Sequence, residues 1–141
     1  MEAICRLNEL LFDNELEIKE LSSKVGIKLR VLYRYMNNER IPCLKNCIKL
    51  SEFFKCSIDY LLGLSNEDNY TDVCSNRTFV EIYEELLRDN KTNNHNVSLS
   101  LGIGRNQYYN WKKGISPKIE TLITLSKHFH VSIDYLIGKE Y

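Results

Sequence analysis

The sequence predicts an all-α chain made of two tandem five-helix units, on two observations. Residues 42–63 and 117–138 match at eleven of twenty-two positions with an offset of 75. Upstream the offset is 76: Glu9-Leu10-Leu11 answers Glu85-Leu86-Leu87, and Gly26-Ile27 answers Gly102-Ile103. The change by one puts a single deletion in the loop after Gly114. An internal duplicate of this length means one small domain present twice. The second observation is periodicity, since apolar residues recur at helical spacing and no stretch alternates convincingly with a period of two. The expected boundaries are 1–63 for the first unit, 64–75 for a polar, acidic linker and 76–141 for the second unit.

Each helix has its own signal. In the first, Ala3, Leu7, Leu10 and Leu11 form one apolar stripe, answered by Phe79, Tyr83, Leu86 and Leu87. A second helix is expected at about 17–25 and 93–101, burying Leu21 with Val25 and Val97 with Leu101. Gly26 and Gly102 follow, where a left-handed backbone ends a helix tightly. A third spans about 28–37 and 104–113, with Leu32, Tyr35, Tyr108 and Trp111 inward. The fourth starts near Pro42 and Pro117, with Ser116 as cap and Pro117 at the first helical position. Its inward residues are expected to be Leu44, Ile48 and Leu50, and Ile119, Ile123 and Leu125. Ser57 and Ser132 cap a last short helix at 58–62 and 133–137, stopped by Gly63 and Gly138. Fully extended, the twelve linker residues reach roughly 40 Å.

The formal net charge is zero, but the charges are segregated. Between Leu21 and Ser51 seven basic residues face one acid, Glu39; between Asn90 and Ile119 five basic residues face none. A basic middle in both copies is the footprint of a polyanion-binding face. No apolar run approaches the ~20 residues of a membrane span, and the first residues lack the pattern of a secretory signal. A cytoplasmic protein without a membrane partner is therefore expected. The five cysteines all fall within the first 74 residues, a poor disulfide framework and a better fit to a reducing compartment. Cys43 and Cys47 could share a helix face, yet further metal ligands are absent nearby, so no metal and no cofactor is expected. Neither a nucleophile nor a carboxylate pair joins His95, His128 and His130, which argues against an enzyme.

A helix, a tight glycine turn and a second helix with an outward polar face make a helix-turn-helix arrangement. Each copy resembles the lambda repressor and Cro-type (XRE-like) helix-turn-helix domain. The first copy matches at Leu21-Ser22-Ser23-Lys24-Val25-Gly26-Ile27, Tyr35, Pro42 and the ending Ser57-Ile58-Asp59-Tyr60-Leu61-Leu62-Gly63. The second matches at Val97-Ser98-Leu99-Ser100-Leu101-Gly102-Ile103, Asn110 to Gly114, Pro117 and Ser132 to Gly138.

The resemblance implies double-stranded DNA as partner, with the third helix of each copy in the major groove. Its base-reading positions fall on Lys28, Leu29, Arg30 and Arg34 in the first copy, and on Gly104, Arg105, Asn106 and Asn110 in the second. Arginine suits guanine and asparagine suits adenine, so two unlike half-sites are expected, one leaning to guanine and one reading both bases. Phosphate contacts are expected from Lys19, Tyr33, Arg40 and Lys45, and from Asn94, His95, Tyr109, Lys112, Lys113 and Lys118.

These features point to a sequence-specific transcriptional regulator, expected to repress. The tandem copy leaves open both one chain per site and a homodimer with four reading helices. A second class fits the same fold, a protein-interaction module of antirepressor or antitoxin type. Its support is the neutral net charge and the apolar Ile18 and Leu29 at positions where DNA would be met. Leu99 is likewise apolar where a polar residue is usual for the family.

Overall fold

The amphipathic stripes do form ten helices, and a computed structural model describes residues 4–139 of the chain. The first five are α1 (Leu7–Asp13), α2 (Ile18–Val25), α3 (Leu29–Met36), α4 (Leu44–Phe54) and α5 (Ile58–Leu61). Their counterparts are α6 (Phe79–Asp89), α7 (Asn94–Leu101), α8 (Arg105–Lys112), α9 (Ile119–Phe129) and α10 (Ile133–Leu136). No strand occurs among the described residues; Cys74 and Lys139 make one isolated antiparallel bridge. The chain divides into two compact units between Asp72 and Val73.

In the first unit the core is Leu7, Leu10, Leu21, Leu32, Tyr35, Cys47, Leu50, Ile58, Leu61 and Leu62, with Leu11, Ile27 and Cys56 completing it. The second unit replaces much of this aliphatic packing with rings. Trp111 meets Phe79 and Tyr83 edge-on at 5.0 and 5.3 Å between ring centres, and Tyr83 also meets Phe129 at 6.5 Å. Edge-to-face rings add to the gain from burial alone. Tyr35 finds a donor for its hydroxyl in Asn46 at 2.7 Å. Its counterpart Trp111 has a buried indole N–H with no hydrogen-bond partner.

The turns explain the repeated glycines. Gly26 and Gly102 cap α2 and α7 with φ of 70° and 68°, the left-handed region that costs glycine least. Each donates its N–H to the carbonyl four residues back, at Ser22 and Ser98. Ser57 and Ser132 cap α5 and α10 as expected, accepting from Tyr60 N–H and Tyr135 N–H at 3.1 and 3.0 Å.

Several expectations are corrected. Pro117 does not open α9: the cap is Lys118, in extended conformation, and Pro117 is buried just outside the helix. Pro42 precedes the cap Cys43 of α4 in the same way. The prolines thus stand before the cap, and Cys47 and Leu122, on the fourth helical position, are buried with them. Those are the two places of a hydrophobic staple. The inward stripe of α4 is Cys47, Leu50 and Ser51, with Leu44 and Ile48 only half-buried; in α9 it is Ile119, Leu122, Leu125, Ser126 and Phe129, with Ile123 half-buried. The serines belong inside because each hydroxyl donates to a carbonyl past the helix end, Cys56 O at 2.6 Å and Val131 O at 2.5 Å. Cys43 and Cys47 do not share a face, since Cys43 is exposed while Cys47 is in the core with its thiol against Pro42 O at 3.3 Å. Ala3, expected on the stripe of α1, lies outside the described residues.

The twelve residues expected as linker do not run extended. Asp68 turns back and accepts the N–H of Ser57 at 2.8 Å, and Arg6 donates to Ser65 O at 3.2 Å and Asn66 Oδ1 at 2.9 Å. Ser75 N–H in turn bonds Gly138 O at 2.6 Å within the second unit. Each unit closes on itself with an arginine laid over one tyrosine. The Arg6 guanidinium is 4.6 Å from the ring centre of Tyr60, and that of Arg77 is 5.6 Å from Tyr135. The tyrosines are repeat equivalents, but the arginines are not, which is why alignment of the copies did not reveal the clasp.

Candidate nucleic-acid interface

Eight residues of α-helix span about 12 Å, and α3 and α8 each have eight. One side of each is fixed to its unit. Leu32 and Tyr35 are buried in α3, and in α8 Trp111 is buried with Tyr108 half-buried beside it. The period of 3.6 then turns positions 30, 33 and 34, and 106, 109 and 110, away from that side, with 29 and 105 at its edge.

The expected residues are distributed as follows. Lys28, as the cap of α3, is exposed, as are Arg30, Tyr33 and Arg34, while Leu29 is half-buried. Gly104 caps α8, and Arg105, Asn106 and Tyr109 are exposed, with Asn110 half-buried. The outward tyrosines keep 44% and 59% of their surface, for Tyr33 and Tyr109. Lys19, Arg40 and Lys45 are exposed on α2, on the loop after α3 and in the first turn of α4. Lys112, Lys113 and Lys118 are exposed at the end of α8 and at the cap of α9.

The start of the second helix differs between the copies. In α7 the cap Asn93 accepts the N–H of Asn96 at 2.9 Å. Asn94 is half-buried, and its Oδ1 accepts from Tyr83 at 2.8 Å and from Ser98 at 3.4 Å. Asn94 is therefore committed inward through its oxygen and has only its amide N–H groups to offer, whereas His95 is exposed. In α2 the cap is Glu17, which makes no side-chain cap bond, and Ile18 is half-buried.

One arrangement was not singled out from the sequence. The Lys112 ammonium is 4.4 Å from the ring centre of Tyr108 and 6.0 Å from that of Tyr109. Tyr108 donates its hydroxyl to Glu84 Oε2 on α6 at 3.1 Å. The spacing of Tyr108 and Lys112, four residues apart on one helix, was the available signal. The remaining chemistry is sparse. Among the described residues no group of histidine, cysteine, aspartate or glutamate could hold a metal ion, and no helix is long and apolar enough to cross a membrane.

Two like units, each presenting the exposed side of a helix that follows a left-handed glycine turn, agree with the comparison against known families. The helix-turn-helix profile matches residues 14–61 and again residues 85–136. The chain belongs to the helix-turn-helix family. It carries the lambda repressor-like (XRE) form of that domain in tandem, and the family is one of non-enzymatic DNA-binding regulators of transcription. No curated protein and no solved structure matched the chain.

Proposed function

We propose that this tandem helix-turn-helix chain represses transcription by reading two unlike half-sites on double-stranded DNA, α3 taking one and α8 the other. The observation that carries the reading is the pair of outward surfaces at equivalent positions. Arg30 and Arg34 stand on α3 where Asn106 and Asn110 stand on α8, with Arg105 preceding them. Bidentate arginine favours guanine and bidentate asparagine favours adenine, each worth ~1–3 kcal/mol of discrimination. The half-site under α3 is accordingly rich in guanine, and that under α8 mixes guanine and adenine. Lys19, Tyr33, Arg40 and Lys45 hold phosphates around the first, and His95, Tyr109, Lys112, Lys113 and Lys118 around the second, with Asn94 contributing through its amide N–H groups. Such contacts fix position without specifying sequence.

Selection from random duplex DNA tests this directly. Wild-type protein is expected to enrich two motif halves. Arg30→Ala/Arg34→Ala should erase one half, and Arg105→Ala/Asn106→Ala the other. Phe12 and Leu99, 84% and 67% exposed, favour the second reading, a unit that holds a protein partner. Enrichment of one half alone would assign the silent unit to that role. No enrichment at moderate salt would sink the DNA reading altogether.

A further inference from the structure

Resting on the DNA reading above, we propose that Tyr108 is a positioning residue that holds Lys112 ready for a backbone phosphate beside the second half-site. A lysine loses much side-chain freedom when it makes such a contact, so a side chain already confined loses less on binding. Lys112 is confined by the face of Tyr108, four residues earlier on the same helix, with the ammonium 4.4 Å from the ring centre. The ring is itself immobile on several sides. Its hydroxyl is bonded to Glu84 on α6 at 3.1 Å, and Tyr83 packs against it at 5.9 Å. Glu84 is occupied by that hydroxyl, and Lys112 makes no ion pair among the described residues. The ammonium is exposed, so its charge is directed to solvent and to any anion that arrives there. The first unit lacks the device, having Leu32 and Met36 at the two equivalent positions.

The test measures duplex affinity and its salt dependence for the full chain carrying Tyr108→Leu, Tyr108→Phe, Lys112→Met or Tyr108→Leu/Lys112→Met. Lys112→Met should weaken binding and flatten the log-log salt slope by about 0.9, the loss of one phosphate contact. Tyr108→Leu should weaken binding by a factor of about two to five, the worth of an exposed cation–ring contact, while keeping the wild-type slope because the lysine is still present. Tyr108→Phe keeps the ring but gives up its bond to Glu84, so its loss should be smaller than that of Tyr108→Leu. The double variant should be no weaker than Lys112→Met alone. Free protein gives an independent signature: ring current shifts the ε-methylene protons of Lys112 upfield, and Tyr108→Leu abolishes that shift. Leucine is the residue the first unit uses there, and a thermal melt checks that the variant is folded. Additive losses in the double variant, or wild-type affinity with Tyr108→Leu, would overturn the positioning role. If Arg105→Ala/Asn106→Ala removes the second half-site's share of the affinity in the same assay, the DNA reading survives that result. Failure of wild-type protein to bind any duplex removes both proposals together.

Discussion

Arg34 and Asn110 occupy equivalent places one turn beyond Arg30 and Asn106, yet Arg34 is exposed and Asn110 half-buried. A long guanidinium reaches past its own helix surface, while a short amide must be brought close by the backbone. On the proposed reading, residue identity sets how near each helix must approach DNA. The same scale governs chemistry away from the interface. Burial pushes the Cys5 thiol from 9.0 up to about 11, and burial followed by the neighbouring Tyr108 pushes the Tyr83 hydroxyl from 10.0 up to about 12. Both folded-state values lie above the ordinary ones, so the stability each contributes is full below its ordinary value and is lost as pH rises through the folded one. Alkaline titration followed by circular dichroism should therefore show stability falling between pH 9 and about 11, and Cys5→Ala should lessen that loss, the buried Tyr35 hydroxyl, also raised by burial, carrying part of the rest. At pH 8 the exposed Cys43 should be alkylated well before Cys5, as peptide mass spectrometry would reveal.

Among the elements, α2 and α7 are the informative pair, because one is capped and the other is not. Asn93→Ala should cost the second unit about 1 kcal/mol by removing the acceptor for Asn96 N–H. Glu17→Asn should add about 0.5–1 kcal/mol to the first unit by supplying the missing acceptor. Chemical denaturation of each variant checks both signs. The helices themselves were legible in the sequence because stripes such as Leu7-Leu10-Leu11 and the glycine stops at Gly26 and Gly102 act locally. Exposed candidates such as Arg30, Arg105 and Asn106 were legible for the same reason, since period and neighbours decide which side they take. What stayed hidden was non-local. Nothing near Asn94 announces that its oxygen is taken by Tyr83, eleven residues away. Cys47 looked like a partner for Cys43 until the cap placed one outside the helix and the other in the core. The clasp of Arg6 on Tyr60 joins positions 54 apart and has no counterpart at the equivalent residue of the repeat.

For the molecule as a whole, a formal charge of zero hides two basic surfaces balanced by acids elsewhere. Such a chain attracts itself as well as polyanions. Turbidity should be greatest near pH 6.8, where the net charge vanishes, and at low ionic strength. It should clear at about 0.3 M salt, where screening shortens the reach of the charges. Duplex DNA at low salt should clear it too, by occupying the basic surfaces. The enclosed indole of Trp111 has a different consequence. It is the sole tryptophan of the chain and follows Asn110 directly on α8, enclosed by rings and without a hydrogen-bond partner. An indole in such surroundings emits at short wavelength, and its light comes from the second unit alone. The protein thus carries an unlabelled optical reporter on the buried side of α8, one that senses the second unit and is blind to the first.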